Sequence, residues 1–214
     1  EIDPFPQMML IDALELGAKQ YPPFSPDTPV IVAQIYDRMV ASEVKMGLTS
    51  VYPDDHPVQL VHNAGAADCK VEKMPLFEID RCDEVGLRTV LYLPPLEKHT
   101  SFEAFQELVG QLRAPGGCPW DRKQTHDSLR RYLLEETYEL LDALDQKDEE
   151  KIAEELGDLL LQILLHAQIG IEEGEFSMTD VLSGIHQKIV RRHPHVFGNV
   201  TVEDADGVVA TWEQ

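Results

Sequence analysis

Four carboxylates recur as two pairs with one spacing: Glu136 and Glu139 in "LLEETYELLDALD", then Glu155 and Asp158 in "ELGDLLLQILLH". Each residue of an α-helix turns the chain by about 100°, so acids three apart share a face. In the first segment Leu133, Leu134, Tyr138, Leu140, Leu141 and Leu144 form one broad apolar arc, with Glu136 at its edge and Glu139 beside it. In the second, Asp158 shares a stripe with Leu161, Leu165 and Ile169, and Glu155 lies near Leu159 and Gln162. That segment is apolar nearly all round, the pattern of a buried helix. A carboxylate buried there must be paired, protonated or metal-bound, because an unpaired buried charge is strongly unfavourable.

Two chemistries meet this requirement. Lys151, one turn before Glu155, or Arg130 and Arg131 from the preceding segment would make a salt-bridged helical bundle. Alternatively, the short "DQKDE" connection makes the two helices antiparallel neighbours and brings all four acids face to face. Their mutual repulsion raises each pKa, and a hard divalent cation with oxygen ligands, Mg²⁺ above all, relieves it.

The elements that must hold these groups divide the chain in two. Up to about Leu96, proline-marked turns separate short β-branched or aromatic runs, "VIVAQIY", "VQLVH", "KMPLFEI" and "TVLYL", which predict strands. Arg38 to Val51 has helical spacing through Val40, Val44, Leu48 and Val51, so this part is α/β or α+β. Beyond "PPLEKHTS" strand signals stop. Helices are predicted over Ser101–Leu112, Ser128–Leu144, Asp148–Glu173, Thr179–Arg192 and Glu203–Glu213, with "RAPGGCPWD" as a loop. The expected class is α+β overall, an α/β part at 1–97 followed by an all-α domain at 98–214.

Composition restricts the partners. With 39 acidic and 18 basic residues the net charge is -21, which opposes sequence-independent attraction to nucleic acid or anionic lipid. No apolar run reaches the roughly 18 residues of a membrane span, so a cytoplasmic location is expected. Cys69, Cys82 and Cys118 form no C-x-x-C pair and suggest neither a disulfide framework nor a thiolate zinc site. His126, His166, His193 and His195 make no convincing zinc set. In the loop, Trp120 is expected to anchor, Asp121 to cap the next segment, and Gln124 and His126 to line a pocket. The start at Glu1 and the end at "TWEQ" suggest a fragment of a longer protein.

Residues from about Ser101 to Trp212 resemble the MazG family of nucleoside triphosphate pyrophosphohydrolases. The resemblance rests on "LRAPGGCPWDRKQTHDSLRRYLLEETYELLDAL", "EELGDLLLQILLHAQI" and "KIVRRHPHVFG", in that order. It implies an all-α fold, dependence on Mg²⁺ with Mn²⁺ as a substitute, and hydrolysis of a nucleoside triphosphate to monophosphate and pyrophosphate. It also implies that Glu136, Glu139, Glu155 and Asp158 are the metal ligands. Glu135, flanking them, is the candidate base, and Lys151 joins it as a catalytic candidate. Lys188 and Arg192, four apart in "KIVRR", are candidate phosphate contacts, although both also suit the C-terminal end of a helix dipole. Trp212 is a candidate for stacking on the base, and packing serves it equally well.

The earlier stretch "MMLIDALELGAKQYPPFSPDTPVIVAQIYDRMVASEVKMGLTSVYPDDHPVQLVHNAG" looks like the C-terminal half of a tetrapyrrole methylase domain, a type that uses S-adenosylmethionine. No glycine-rich strand-to-helix turn precedes it, so no methyl transfer is expected. Two rival functions therefore stand beside the hydrolase: a methyltransferase fragment and a non-catalytic helical dimerisation module. Leu160, Leu164 and Ala167 on one side of the central helix, and Leu161, Leu165 and Ile169 on another, predict a homodimer with a four-helix core.

Overall fold

The structure is a computed structural model describing residues 7–96 and 100–200. These divide into two compact units, with the boundary between Phe105 and Gln106. The architecture is α+β: a mixed sheet with helices, then a helical region.

The first unit is a five-stranded sheet in the order β1-β2-β5-β3-β4. Its strands are β1 (Met9–Asp12), β2 (Val30–Ala33), β3 (Pro57–His62), β4 (Lys70–Pro75) and β5 (Val90–Leu93). β1 runs parallel to β2, and the other pairings are antiparallel. Alternation along β3 sends Val58, Leu60 and His62 inward, where Leu60 joins Val32, Leu91 and Leu93 in the core. Helix α1 (Ala13–Gly17) buries Leu16, and α2 (Arg38–Leu48) buries Val40, Val44 and Leu48. Asp12 and Asp37 cap these helices by accepting backbone N–H groups of their first turns.

Sequence and structure part at three places here. β1 and α1 carry no signal strong enough to predict them. The "KMPLFEI" run is not one strand: β4 ends at Pro75, and Leu76–Arg81 continues as a 3-10 helix whose Leu76 and Ile79 are buried. Proline has no N–H for the ladder, so the strand stops there. Helix α2 ends at Leu48, three residues before Val51.

The second unit is helical. It holds α4 (His126–Gln146), α5 (Glu149–Glu173), α6 (Met178–Arg192) and the short α7 (Pro194–Phe197), preceded by α3 (Phe102–Arg113), within which the unit boundary falls. Caps set the limits. Thr125 with Ser128 and Ser177 with Asp180 form capping boxes, and Asp148 accepts from Lys151 N. Lys147 and Gly174 close α4 and α5 in the left-handed conformation, at φ 57° and 72°. The two-residue connection between α4 and α5 folds them back on each other as an antiparallel pair. The predicted helix at 203–213 lies outside the described residues.

Burial in this unit departs from the even apolar face expected of α5. Leu164, Leu165, Ala167 and Ile169 are buried within the chain itself. Uncovered apolar surface lies on α4, where Leu134, Tyr138 and Leu141 are 59%, 68% and 50% exposed, at Leu156 and Ile163 of α5, and along α6 at Leu182, Ile185 and Ile189. Among the described residues, no helix is long and apolar enough to cross a membrane.

Candidate functional site

The α4–α5 pair brings three of the four predicted acids together. Glu136 from α4 and Glu155 and Asp158 from α5 each offer a carboxylate oxygen, and the three oxygens lie within 4.8 Å of one another. All three residues are half-buried. Glu139 is exposed and outside this group, yet its charge acts on both Glu136 and Glu155. None of the four makes an ion pair with a described basic residue, and Lys151 acts on Glu155 through its charge alone.

The electrostatics follow from that crowding. Partial burial, then the charges of Asp158, Glu139, Glu155 and Glu135, push the Glu136 pKa above the ordinary carboxylate value. Partial burial, then Glu139, Asp158 and Glu154, push Glu155 up likewise, and Lys151 pulls it down by less. One Glu155 oxygen, Oε2, is buried and has no hydrogen-bond partner. Three converging carboxylates, one with a buried oxygen that has no hydrogen-bond partner, fit a hard divalent cation.

The remaining predicted residues are more dispersed. Glu135 is exposed and its charge bears on Glu136. Lys151 is exposed in the first turn of α5, where its backbone N–H donates to Asp148. Lys188 is exposed and Arg192 half-buried on α6, and neither has a described contact with the acids. Trp212 lies outside the described residues.

Comparison with known proteins decides what kind of unit carries these acids. Residues 124–197 match the family described as the MazG nucleotide pyrophosphohydrolase domain. Those residues lie within the helical half, from the end of the loop before α4 to α7. Over its whole length the chain is 46% identical to Uncharacterized protein YabN of Bacillus subtilis, covering 44% of that protein. The nucleoside triphosphate pyrophosphohydrolase/pyrophosphatase MazG of Thermotoga maritima is 53% identical over 46% of this chain and 38% of its own length. The nucleoside triphosphate pyrophosphohydrolase of Escherichia coli strain K12 is 46% identical over 50% of this chain and 41% of its own. The chain thus spans less than half the length of these relatives.

Within the helical half, the loop before α4 acquires a physical role that its sequence concealed. Arg113, the last residue of α3, is buried and forks onto Glu172 of α5, Nε to Oε1 at 3.0 Å and Nη2 to Oε2 at 2.7 Å. Its Nη1 donates to the carbonyls of Asp121 at 2.5 Å and Gln124 at 3.2 Å, pinning both ends of the turn that leads into α4. Cys118 N donates to the Leu112 carbonyl, folding the loop onto the end of α3 so closely that a Cβ at Gly117 would strike the Gln111 and Leu112 carbonyls. Trp120 is half exposed and meets Tyr132 edge-on at 5.7 Å. Asp121 does not cap α4; Thr125 does.

Gln124 lines a groove of about 400 Å³ with Asp127, Ser128, Arg131 and Tyr132. His126 lies elsewhere, stacked on His166 at 5.0 Å with the rings 4° from parallel. That pairing joins residues 40 apart, and no local spacing announces it.

Proposed function

We propose that the helical half hydrolyses nucleoside triphosphates to the monophosphate and pyrophosphate with a divalent cation, Mg²⁺ or Mn²⁺, held by Glu136, Glu155 and Asp158 and with Glu139 beside them. The observation that carries this is the meeting of three acids from two helices with no ion-pair partner among the described residues, in a segment matching a nucleotide pyrophosphohydrolase family. When bound, such a cation lowers the pKa of coordinated water and neutralises charge on phosphate oxygens.

The chain's own groups have separate tasks. Glu136, Glu155 and Asp158 fix the position of the ligand oxygens from two packed helices, a more rigid mounting than loops provide. Glu135, exposed beside them, accepts a proton from the attacking water. Lys151 offsets part of the negative charge at Glu155 and is available to the departing pyrophosphate. Lys188 and Arg192, one turn apart on α6, contact phosphate, the guanidinium as a fork and the ammonium as a point charge. Trp212 stacks on the base. The unit works as a homodimer, which would cover the exposed Leu134, Tyr138 and Leu141. The domain is taken to begin at residue 98, and residues 1–97 to derive from a tetrapyrrole methylase domain.

The test is pyrophosphate release from a mixture of nucleoside triphosphates in Mg²⁺, by the native chain and by Glu155→Gln and Asp158→Asn. Release by the native chain, lost in both variants at unchanged helical circular dichroism, is the expected result. Activity surviving either change overturns the site, and a native chain without activity favours a dimerisation module.

A further inference from the structure

We propose that His62, Glu72 and Cys82, in the first unit, form a three-ligand site for a borderline transition-metal cation of the zinc(II) class. The residues come from three elements. His62 ends β3, Glu72 lies on the edge strand β4, and Cys82 follows the 3-10 helix Leu76–Arg81. In the β3–β4 register Leu60 faces Glu72 and His62 faces Lys70, so His62 and Glu72 are diagonal neighbours on the inward face.

Without a cation the Cys82 thiol donates to Glu72 Oε2, and the His62–Glu72 separation is longer than a charge-assisted hydrogen bond. His62 Nε2 lies 3.5 Å from Glu72 Oε2, Cys82 Sγ lies 3.8 Å from His62 Nε2, and Cys82 Sγ lies 3.6 Å from Glu72 Oε2. A histidine donating to a carboxylate sits at about 2.7–2.9 Å. Tetrahedral zinc, with bonds of about 2.3 Å to sulfur and about 2.0–2.2 Å to nitrogen and oxygen, holds its ligand atoms about 3.4–3.6 Å apart. The His62–Glu72 and Cys82–Glu72 separations fall in that range and the Cys82–His62 separation is about 0.2 Å longer, so a small side-chain shift brings all three donors onto one cation.

The surroundings are those of a ligand set. The His62 side chain is 4% exposed, and its Nδ1 faces Thr89 Oγ1 at 3.4 Å while its Nε2 faces the cluster. Thr89 Oγ1 is itself fixed by Gly86 N at 2.9 Å. Glu72 is 39% exposed, which provides an entry path and a fourth position open to water. Lys70 lies at the rim of the cluster, 3.9 Å from Glu72 Oε2 and 2.6 Å from Glu84 Oε1. Burial and the Glu72 charge keep the Cys82 thiol above its ordinary pKa, so the protein by itself does not stabilise a thiolate there. The sequence showed no thiolate site because its three ligands have no motif spacing.

The experiment is a titration of the reduced full chain with Co²⁺, a spectroscopic substitute for zinc. One equivalent is expected to produce thiolate-to-cobalt charge-transfer absorption and tetrahedral ligand-field bands, both erased by Zn²⁺. The absorption is expected to vanish in Cys82→Ser and Cys82→Ala. It should persist in the Cys69→Ser/Cys118→Ser double variant and in Glu136→Gln, since the α4–α5 acids supply only oxygen. Absence of the charge-transfer band in the native chain, or its survival without Cys82, overturns the site. Neither result bears on pyrophosphate release, so the two proposals fail separately.

Discussion

Glu172→Met is expected to destabilise the helical unit more than Arg113→Met, although both break the same ion pair. The difference lies in what each change leaves behind. The Arg113 side chain is 5% exposed, whereas that of Glu172 is 38% exposed. Removing the carboxylate strands a buried guanidinium with only the Asp121 and Gln124 carbonyls, a loss of about 3–5 kcal/mol. Removing the guanidinium instead frees a carboxylate that water can reach and two loop carbonyls. The expected cost is then about 2–3 kcal/mol, near the value of one or two hydrogen bonds to a charged group. The double variant is expected to cost less than the sum of the singles, with a coupling of about 1–3 kcal/mol. Urea midpoints from helical circular dichroism at one protein concentration give all three values. The Glu172 carboxyl is held below its ordinary 4.5, by the Arg113 hydrogen bond first. Its contribution is therefore complete above that value and is lost as pH falls through the lowered one. An Arg113→Met variant as unstable as Glu172→Met at neutral pH would refute the buried-guanidinium account.

The acid cluster predicts the opposite sign. Glu136 and Glu155 have raised pKa values, so their repulsion weighs against the metal-free fold above those values and is relieved as pH falls through them. Mg²⁺ affinity, measured by calorimetry, should decline on mild acidification because protons compete for the same oxygens; a flat profile would show that these acids do not bind it. For assembly, Tyr138→Glu combined with Leu141→Glu places charge on the exposed α4 stripe and is expected to turn a dimer into a monomer in sedimentation. A native chain already monomeric removes the dimer from the proposal.

How much of this was legible depends on the range over which each feature is specified. The limits of α3, α4, α5 and α6 followed to within two residues from signals near each end, such as the glycine of "EEGEF" after α5 and Pro194 after α6. β1 escaped because Met8, Met9 and Leu10 are all exposed and show no alternation. The sites divide the same way. Glu155 and Asp158 share one turn of one helix, and Glu136 faces them across a two-residue connection, so helical rotation and a tight turn sufficed to bring them together. Glu139 shows the limit of that geometry: the spacing that puts it on the Glu136 face leaves it a turn further along, exposed and acting only through its charge. His62, Glu72 and Cys82 meet through strand register and the 3-10 turn after Pro75, the very place where the strand prediction failed. An error in register there reverses which residues face inward. The cluster therefore became visible only when the sheet fixed the diagonal between His62 and Glu72.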